Sequence, residues 1–383
     1  MQIAIYGAGN YGRYVLDEVK SHECAKVTVA FWIDNYVEMQ EICGLPVYTE
    51  ERFFIAHKFH EIDAVVIAMD RRSIAYAAAA SLLERGYKQV YLVWPGGFMP
   101  KVPVLNEKGE FTPFVKLHNL YKELKPIIPH VEVSVTNYCN LKCKRCGNFS
   151  NLVTEMDYLD LDVLERDLEQ LSKKVKNIET FSLLGGEPLL YPQLDNCIAL
   201  VGKYFPKAYI QIVTNGLLIP DIPSNLIEAM KHYYTGFYIS QYAPTRNNLH
   251  NIVEFLEKEH IRYEITPPRT TFRKLLSFKD DDIERAYEYN ASDQCTCHVI
   301  DKGRIYLCSN FPRLYAMQDY FDIHIEEKEL KENAIDLFDD KIDGWDIMYY
   351  FTKPTSLCRF CSPKDLWIPW ETGKPERDDW IAD

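Results

Sequence analysis

No run of apolar residues in this 383-residue chain approaches the ~18–20 positions that a membrane-spanning helix needs. The first residues, MQIAIYGAGNYGR, lack the basic stretch, long apolar core and small-residue cleavage site of a secretory signal. Positive charge is scarce: 43 Lys and Arg against 56 Asp and Glu leave a formal net charge of -13. That balance argues against a nucleic-acid backbone or an anionic membrane surface as the main partner. Internal repeats and low-complexity tracts are also missing. What is present is a 47% hydrophobic composition in a length that suits two or three globular domains. The expected compartment is the cytoplasm, where eleven cysteines are poor candidates for disulfides and better ones for metal ligands or reactive thiols. Cys24, Cys43 and Cys197 stand alone and read as ordinary buried residues.

Strand and helix signals alternate, which predicts an α/β protein with parallel sheets. Ile3 to Tyr6, Val27 to Ile33, Ala64 to Ala68 and Tyr91 to Val93 read as strands, with helices after the first Gly-rich turn and from Ser73 to Arg85. A Pro- and Gly-punctuated linker follows, with a short helix around Leu117 to Leu124. A second series runs from Val131 to Thr266 as five βα-like units, suggesting a partial or full βα barrel whose chemistry gathers at the C-terminal ends of its strands. Val299–Ile300 and Arg304–Leu307 then read as a β-hairpin. The expected domains are 1–105, a linker at 106–128, then 129–290 and 291–383.

Cys139, Cys143 and Cys146 fall in one loop directly after a strand. Thiolates are soft ligands for zinc or iron–sulfur centres, and three from one loop can hold three corners of a cubane while leaving one iron open. Spacing alone also fits a zinc site whose fourth ligand lies elsewhere. The pattern C-x3-C-x2-C after the first barrel strand resembles the signature of the radical S-adenosylmethionine (SAM) superfamily. The resemblance implies a partial (β/α)6 barrel, a [4Fe–4S] cluster and SAM chelated to the open iron. It further implies a 5′-deoxyadenosyl radical that abstracts substrate hydrogen, and a reductant protein such as flavodoxin or ferredoxin. Gly185, Gly186, Glu187 and Pro188 match the family's GGE motif, although Gly-Gly-Glu-Pro alone is also a tight turn. Thr214-Asn215-Gly216 and Ser240-Gln241 follow later strands, where the family places contacts to SAM. Asn215, Ser240 and Gln241 are therefore SAM-contact candidates beside the GGE residues. Arg145 departs from the family, which often has an aromatic residue before the third cysteine.

Gly303 to Cys308 is similar to the G-x4-C element of SPASM and Twitch extensions, which bind auxiliary clusters. That likeness implies a second iron–sulfur cluster on Cys297, Cys308, Cys358 and Cys361, with Cys295 as the alternative first ligand. A structural zinc ribbon is the competing reading. At the other end, Gly7, Gly9 and Gly12 follow the first strand and open a helix, and Asp34 ends the second strand. This satisfies the context of a Rossmann-like doubly wound nucleotide fold. Phe31 to Tyr48 resembles Rossmann-like domains of surface-polysaccharide enzymes, which implies a nucleotide-sugar ligand; a degenerate packing domain fits too. The expected reaction is oxidation, epimerisation or rearrangement of a sugar or nucleotide-sugar. A peptide-modifying maturase and a non-enzymatic zinc-stabilised binding protein are the alternatives. His298, Arg304, Tyr242, Arg246 and Arg269 are further candidates for contacts to phosphate or hydroxyl groups.

Overall fold

A computed structural model describes residues 1–21, 26–69, 72–93, 114–116, 125–153, 155–278, 296–321, 325–351, 354–362, 364 and 366–382. The helix expected around Leu117 to Leu124, Cys24 and Cys295 lie outside them. The chain divides into two compact units, Met1–Lys125 and Pro126–Asp383. Among the described residues no helix is long and apolar enough to cross a membrane.

The first unit carries a seven-stranded sheet in the order β3-β4-β2-β1-β5-β6-β7. Its strands are β1 (Gln2–Tyr6), β2 (Thr28–Ile33), β3 (Glu41–Ile42), β4 (Leu45–Tyr48), β5 (Ala64–Ile67), β6 (Val90–Val93) and β7 (Phe114–Lys116). β1 pairs in parallel with β2 on one side and β5 on the other. The strand order thus reverses at β1, directly above the Gly-rich turn. All four residues of β5 are buried, as expected of a strand covered on both faces. Helix Asn10–Ser21 lays Gly12, Val15, Leu16 and Val19 on the sheet at i, i+3, i+4 and i+7. Cys43 corrects its sequence expectation: it is exposed, at φ 54° in the β3–β4 turn, because Ile42 rather than Cys43 supplies the buried side chain there.

The second unit is built on an eight-stranded sheet in the order β12-β11-β10-β9-β8-β14-β15-β16. β8 (Ile127–Thr136), β9 (Asn177–Gly185), β10 (Tyr209–Thr214), β11 (Gly236–Ile239) and β12 (Arg262–Ile265) are parallel neighbours in chain order. Side chains alternate across them. Val131, Val133, Phe181, Leu183, Ile210, Ile212 and Phe237 share one face and are all buried. The opposite face is polar. Gln211 donates to Ser182 at 2.8 Å, and the Ser182 hydroxyl meets His130 Nε2 at 2.7 Å, a network crossing three adjacent strands. His130 Nδ1 is 3.1 Å from the Thr296 carbonyl. The Thr296 carbonyl can only accept, so Nδ1 is the nitrogen that donates to it.

The expected hairpin is present but is hydrogen-bonded into this same sheet. β14 (Val299–Asp301) pairs in parallel with β8, and β15 (Arg304–Tyr306) and β16 (Ala334–Asp336) follow antiparallel. Lys302 and Gly303 both have positive φ, the two-residue turn that matches strand twist. Asp167, on helix Leu161–Lys174, fixes that turn by accepting the Gly303 N–H at 2.8 Å. A separate pair, β13 (Thr271–Arg273) with β17 (Trp367–Pro369), brings the last described segment back towards the cysteine loop.

Candidate functional site

The cysteine loop starts where β8 ends. Cys139 and Cys143 are 9% and 6% exposed and Cys146 is half-buried. Burial pushes the Cys139 thiol up to about 12, and the charges of Glu187, Cys146 and Cys143 push the same way, against a backbone N–H from Leu141. Cys143 is likewise pushed up to about 12, by burial first and then by Cys146. The three sulfurs are therefore mutual electrostatic neighbours, two of them buried. Such a set is costly as bare thiolates and is resolved by a cationic metal centre, which displaces the protons. The donor chemistry fits an iron–sulfur cluster.

The Gly-Gly-Glu-Pro turn braces this loop. Gly186 N–H donates to the Thr136 carbonyl at 2.7 Å and Glu187 N–H to the Tyr138 carbonyl at 2.8 Å. A Cβ on Gly185 would sit 2.2 Å from the Thr136 oxygen, and one on Gly186 would sit 1.9 Å from the Tyr138 oxygen. The two glycines are needed because two backbones touch here. Glu187 is fully buried and points inward, accepting from the Thr214 hydroxyl (2.6 Å), Asn215 N–H (2.9 Å) and Leu189 N–H (3.2 Å). Burial holds its carboxyl up at about 7 despite those donors. Asn215 completes the link, donating to the Asn140 side chain at 2.7 Å beside Cys139. Pro188 is buried behind this turn. Ser240 and Gln241 are half-buried after β11, with Ser240 N–H on the Thr214 carbonyl and Gln241 N–H on the Thr266 hydroxyl. The structure thus gathers all the candidates of this motif set at the C-terminal ends of β8 to β11.

Sequence reading missed the far wall. Trp370 Nε1–H donates to the Cys143 Sγ at 3.2 Å, and Trp380 Nε1–H to the Cys146 carbonyl at 2.8 Å. Lys144 N–H bonds the Glu371 carbonyl and Gly373 N–H the Lys142 carbonyl. Arg145, at φ 63°, donates to the Pro369 carbonyl and pairs with Asp379 at 3.3 Å. That pair accounts for an arginine before the third cysteine. Tyr242 stacks on Trp370 with ring centroids 5.6 Å apart. In the sequence this wall is marked by Trp370 and Trp380 themselves.

A cavity of about 810 Å³ opens beside the turn, lined among others by Ser134, Gly185, Gly186, Asn148, Asp301 and Arg313. Of the C-terminal cysteines, Cys358 is buried and Cys308 and Cys361 are half-buried. The Tyr350 hydroxyl is raised chiefly by burial, opposed by the Leu307 N–H that it accepts, with smaller contributions from the charges of Cys358 and Cys308. Cys297 is exposed, with its sulfur within 4.8 Å of ligand atoms of His130 and Glu132, neither of which was singled out from sequence. His298 is buried face to face with Phe351 and is pushed down to about 4, chiefly by burial; Arg304 reaches Asp336 at 3.5 Å.

In the first unit, Gly7 has φ 110° and a Cβ on Gly12 would lie 1.8 Å from the Gly7 carbonyl. Gly9 is exposed with open space about its Cα. Asp34 accepts Ala8 N–H at 2.8 Å through one oxygen, and Tyr36 and Val37 N–H through the other. Its carboxylate therefore ties the Gly-rich turn to the end of β2.

Residues 133–280 match the family model described as the Radical SAM superfamily. The GTP 3',8-cyclase of Helicobacter pylori (strain HPAG1) is 34% identical over 106 residues, 27% of this chain and 32% of that protein. The GTP 3',8-cyclase of Alkaliphilus oremlandii is 26% identical over 166 residues, 41% of this chain and 51% of that protein. The chain thus spans between about a third and a half of these curated relatives. Among solved structures, BtrN in complex with AdoMet and 2-DOIA aligns with TM-score 0.38 and 17% identity, covering 64% of this chain and 100% of that one. Streptococcus suis SuiB bound to S-adenosylmethionine aligns with TM-score 0.31 and 22% identity, covering 40% and 37%. The match to the radical SAM superfamily model falls on the segment that holds the cysteine loop and the glycine turn.

Proposed function

We propose that this chain is a radical SAM enzyme acting on a sugar or nucleotide-sugar. The observation that carries this reading is the meeting of three loop thiols, two buried and one half-buried, with the Gly185–Pro188 turn at one end of a parallel sheet. Cys139, Cys143 and Cys146 would hold a [4Fe–4S] cluster, which with bound SAM supplies a 5′-deoxyadenosyl radical for hydrogen abstraction. Gly185, Gly186 and the Asn215 and Ser240–Gln241 segments would shape the SAM site, with Trp370 and Trp380 keeping water from the loop. Glu187 and Pro188 would act by bracing that site, since both are buried and the Glu187 carboxylate is taken up by Thr214, Asn215 and Leu189.

The C-terminal thiols are read as a Twitch-like auxiliary cluster on Cys297, Cys308, Cys358 and Cys361. The electrostatic effect of Cys308 and Cys358 on the same hydroxyl, that of Tyr350, supports this. The first unit is read as a Rossmann-like nucleotide-binding domain using Gly7, Gly9 and Gly12 at the reversal of strand order. Asp34 would then orient the turn rather than grip a ribose. The relatives named GTP 3',8-cyclase agree with a nucleotide-bearing substrate. A flavodoxin or ferredoxin would supply electrons.

Anaerobic reconstitution tests the reading. About eight iron and eight sulfide per chain, two cubanes, and dithionite-dependent release of 5′-deoxyadenosine are expected. Zinc in place of iron would refute it.

A further inference from the structure

Arg313 stands apart from every role so far assigned. It ends the short turn Phe311–Arg313, downstream of Cys308, and is only 8% exposed. One guanidinium nitrogen donates to the Asn148 side chain, two residues after Cys146. The other, Nη2, is buried without a hydrogen-bond partner, and among the described residues no carboxylate forms an ion pair with Arg313. Glu132 and Asp301 act on it electrostatically, as do Cys146 and Cys308. Arg313 lines the 810 Å³ cavity together with Gly185 and Gly186.

A second unpartnered atom belongs to another residue of the cavity lining. Asp167 is 2% exposed; its Oδ2 holds the Gly303 N–H, while Oδ1 is buried with no partner. Asp167 also lines the cavity. A buried guanidinium left short of an acceptor and a buried carboxyl left short of a donor each carry a desolvation cost that a ligand can relieve. The Arg fork suits oxyanions, and the carboxyl oxygen suits a hydroxyl.

We propose that this cavity is a subsite for an anionic, hydroxylated small molecule, a sugar phosphate or sugar acid, with its oxyanion on Arg313 and a hydroxyl on Asp167. The proposal deepens the reading of the chain as a radical SAM enzyme on sugars and adds that the substrate carries a negative group. A volume of this size accommodates a sugar phosphate beside SAM. The SAM carboxylate is the competing oxyanion. The separate titration with SAM distinguishes the two.

The test is calorimetric titration of the full chain with glucose 1-phosphate, glucuronate and glucose, and separately with SAM. Binding of either anion but not of glucose is expected, and which anion binds identifies the group. R313Q should weaken that binding by about tenfold or more, and by more than any change in SAM affinity. Equal binding of glucose, no binding of either anion, unchanged anion binding in R313Q, or an equal loss of SAM binding would each overturn it. Should R313Q fail to fold, R313K serves: the point charge lacks the fork, so a several-fold loss is expected and unchanged affinity counts against the site. Failure of the cluster to assemble would sink the radical reading separately, because anion binding can be measured without iron.

Discussion

The indole N–H of Trp370 is aimed at the Sγ of Cys143 across 3.2 Å, although 227 residues separate them in sequence. A donor on a ligand sulfur favours the more negative, reduced state of a cluster. Trp370→Phe keeps the ring and removes the donor. A net bond of about 1 kcal/mol corresponds to about 40 mV for one electron. The variant's midpoint potential, followed by EPR in a redox titration, should fall by roughly that amount with iron content unchanged.

Arg145 and Asp379 form a pair whose side chains are 10% and 5% exposed. Removing one partner strands a buried charge, at a cost of about 3–5 kcal/mol. Asp379→Ala should loosen the segment 367–382 from the loop. Hydrogen exchange in that segment should rise, and the cluster should lose iron faster in air. Unchanged exchange would mean that the pair does not anchor it.

Glu187→Ala strands the Thr214 hydroxyl and the N–H groups of Asn215 and Leu189. A loss of about 3 kcal/mol in urea unfolding is expected, together with poorer iron retention, since Asn215 also holds Asn140 beside Cys139.

Asp167 supplies a pH test. Burial holds its carboxyl up at about 6, opposed by the Gly303 N–H, against about 3.9 when unfolded. Because the folded value is the higher one, this group's contribution to stability is complete below about pH 4 and is lost as pH rises through about 6. Asp167→Asn does not titrate. Its urea midpoint relative to the parent should therefore improve between about pH 4.5 and about pH 7.5. A constant difference would contradict the shift.

Much of this was legible in the chain itself. Apolar periodicity located β8 to β12, and Asp301-Lys302-Gly303 separated the two halves of the hairpin, of which Asp301 proves to belong to the strand. The C-x3-C-x2-C loop and the glycine turn announced themselves through local spacing. Long-range pairing did not. Nothing around Val299 says that it will lie against Glu132, and nothing around Trp370 names Cys143, because neither contact leaves a periodic trace. Glu187 reads from its motif as a SAM contact, yet its carboxylate is taken up by three donors from residues up to 28 positions away. Arg313 went unnoticed because one buried arginine in a turn has no pattern.

The clasp of residues 367–382 on the cysteine loop also dictates a sequence of events at the ribosome. Cys139 to Cys146 emerge more than two hundred residues before the indoles that cover them. During that interval the three thiols are open to solvent, metals and oxidants. Delivery of iron and sulfide has its widest access before the tail closes, so a nascent chain stalled short of Trp370 would be the form most readily loaded and most readily damaged.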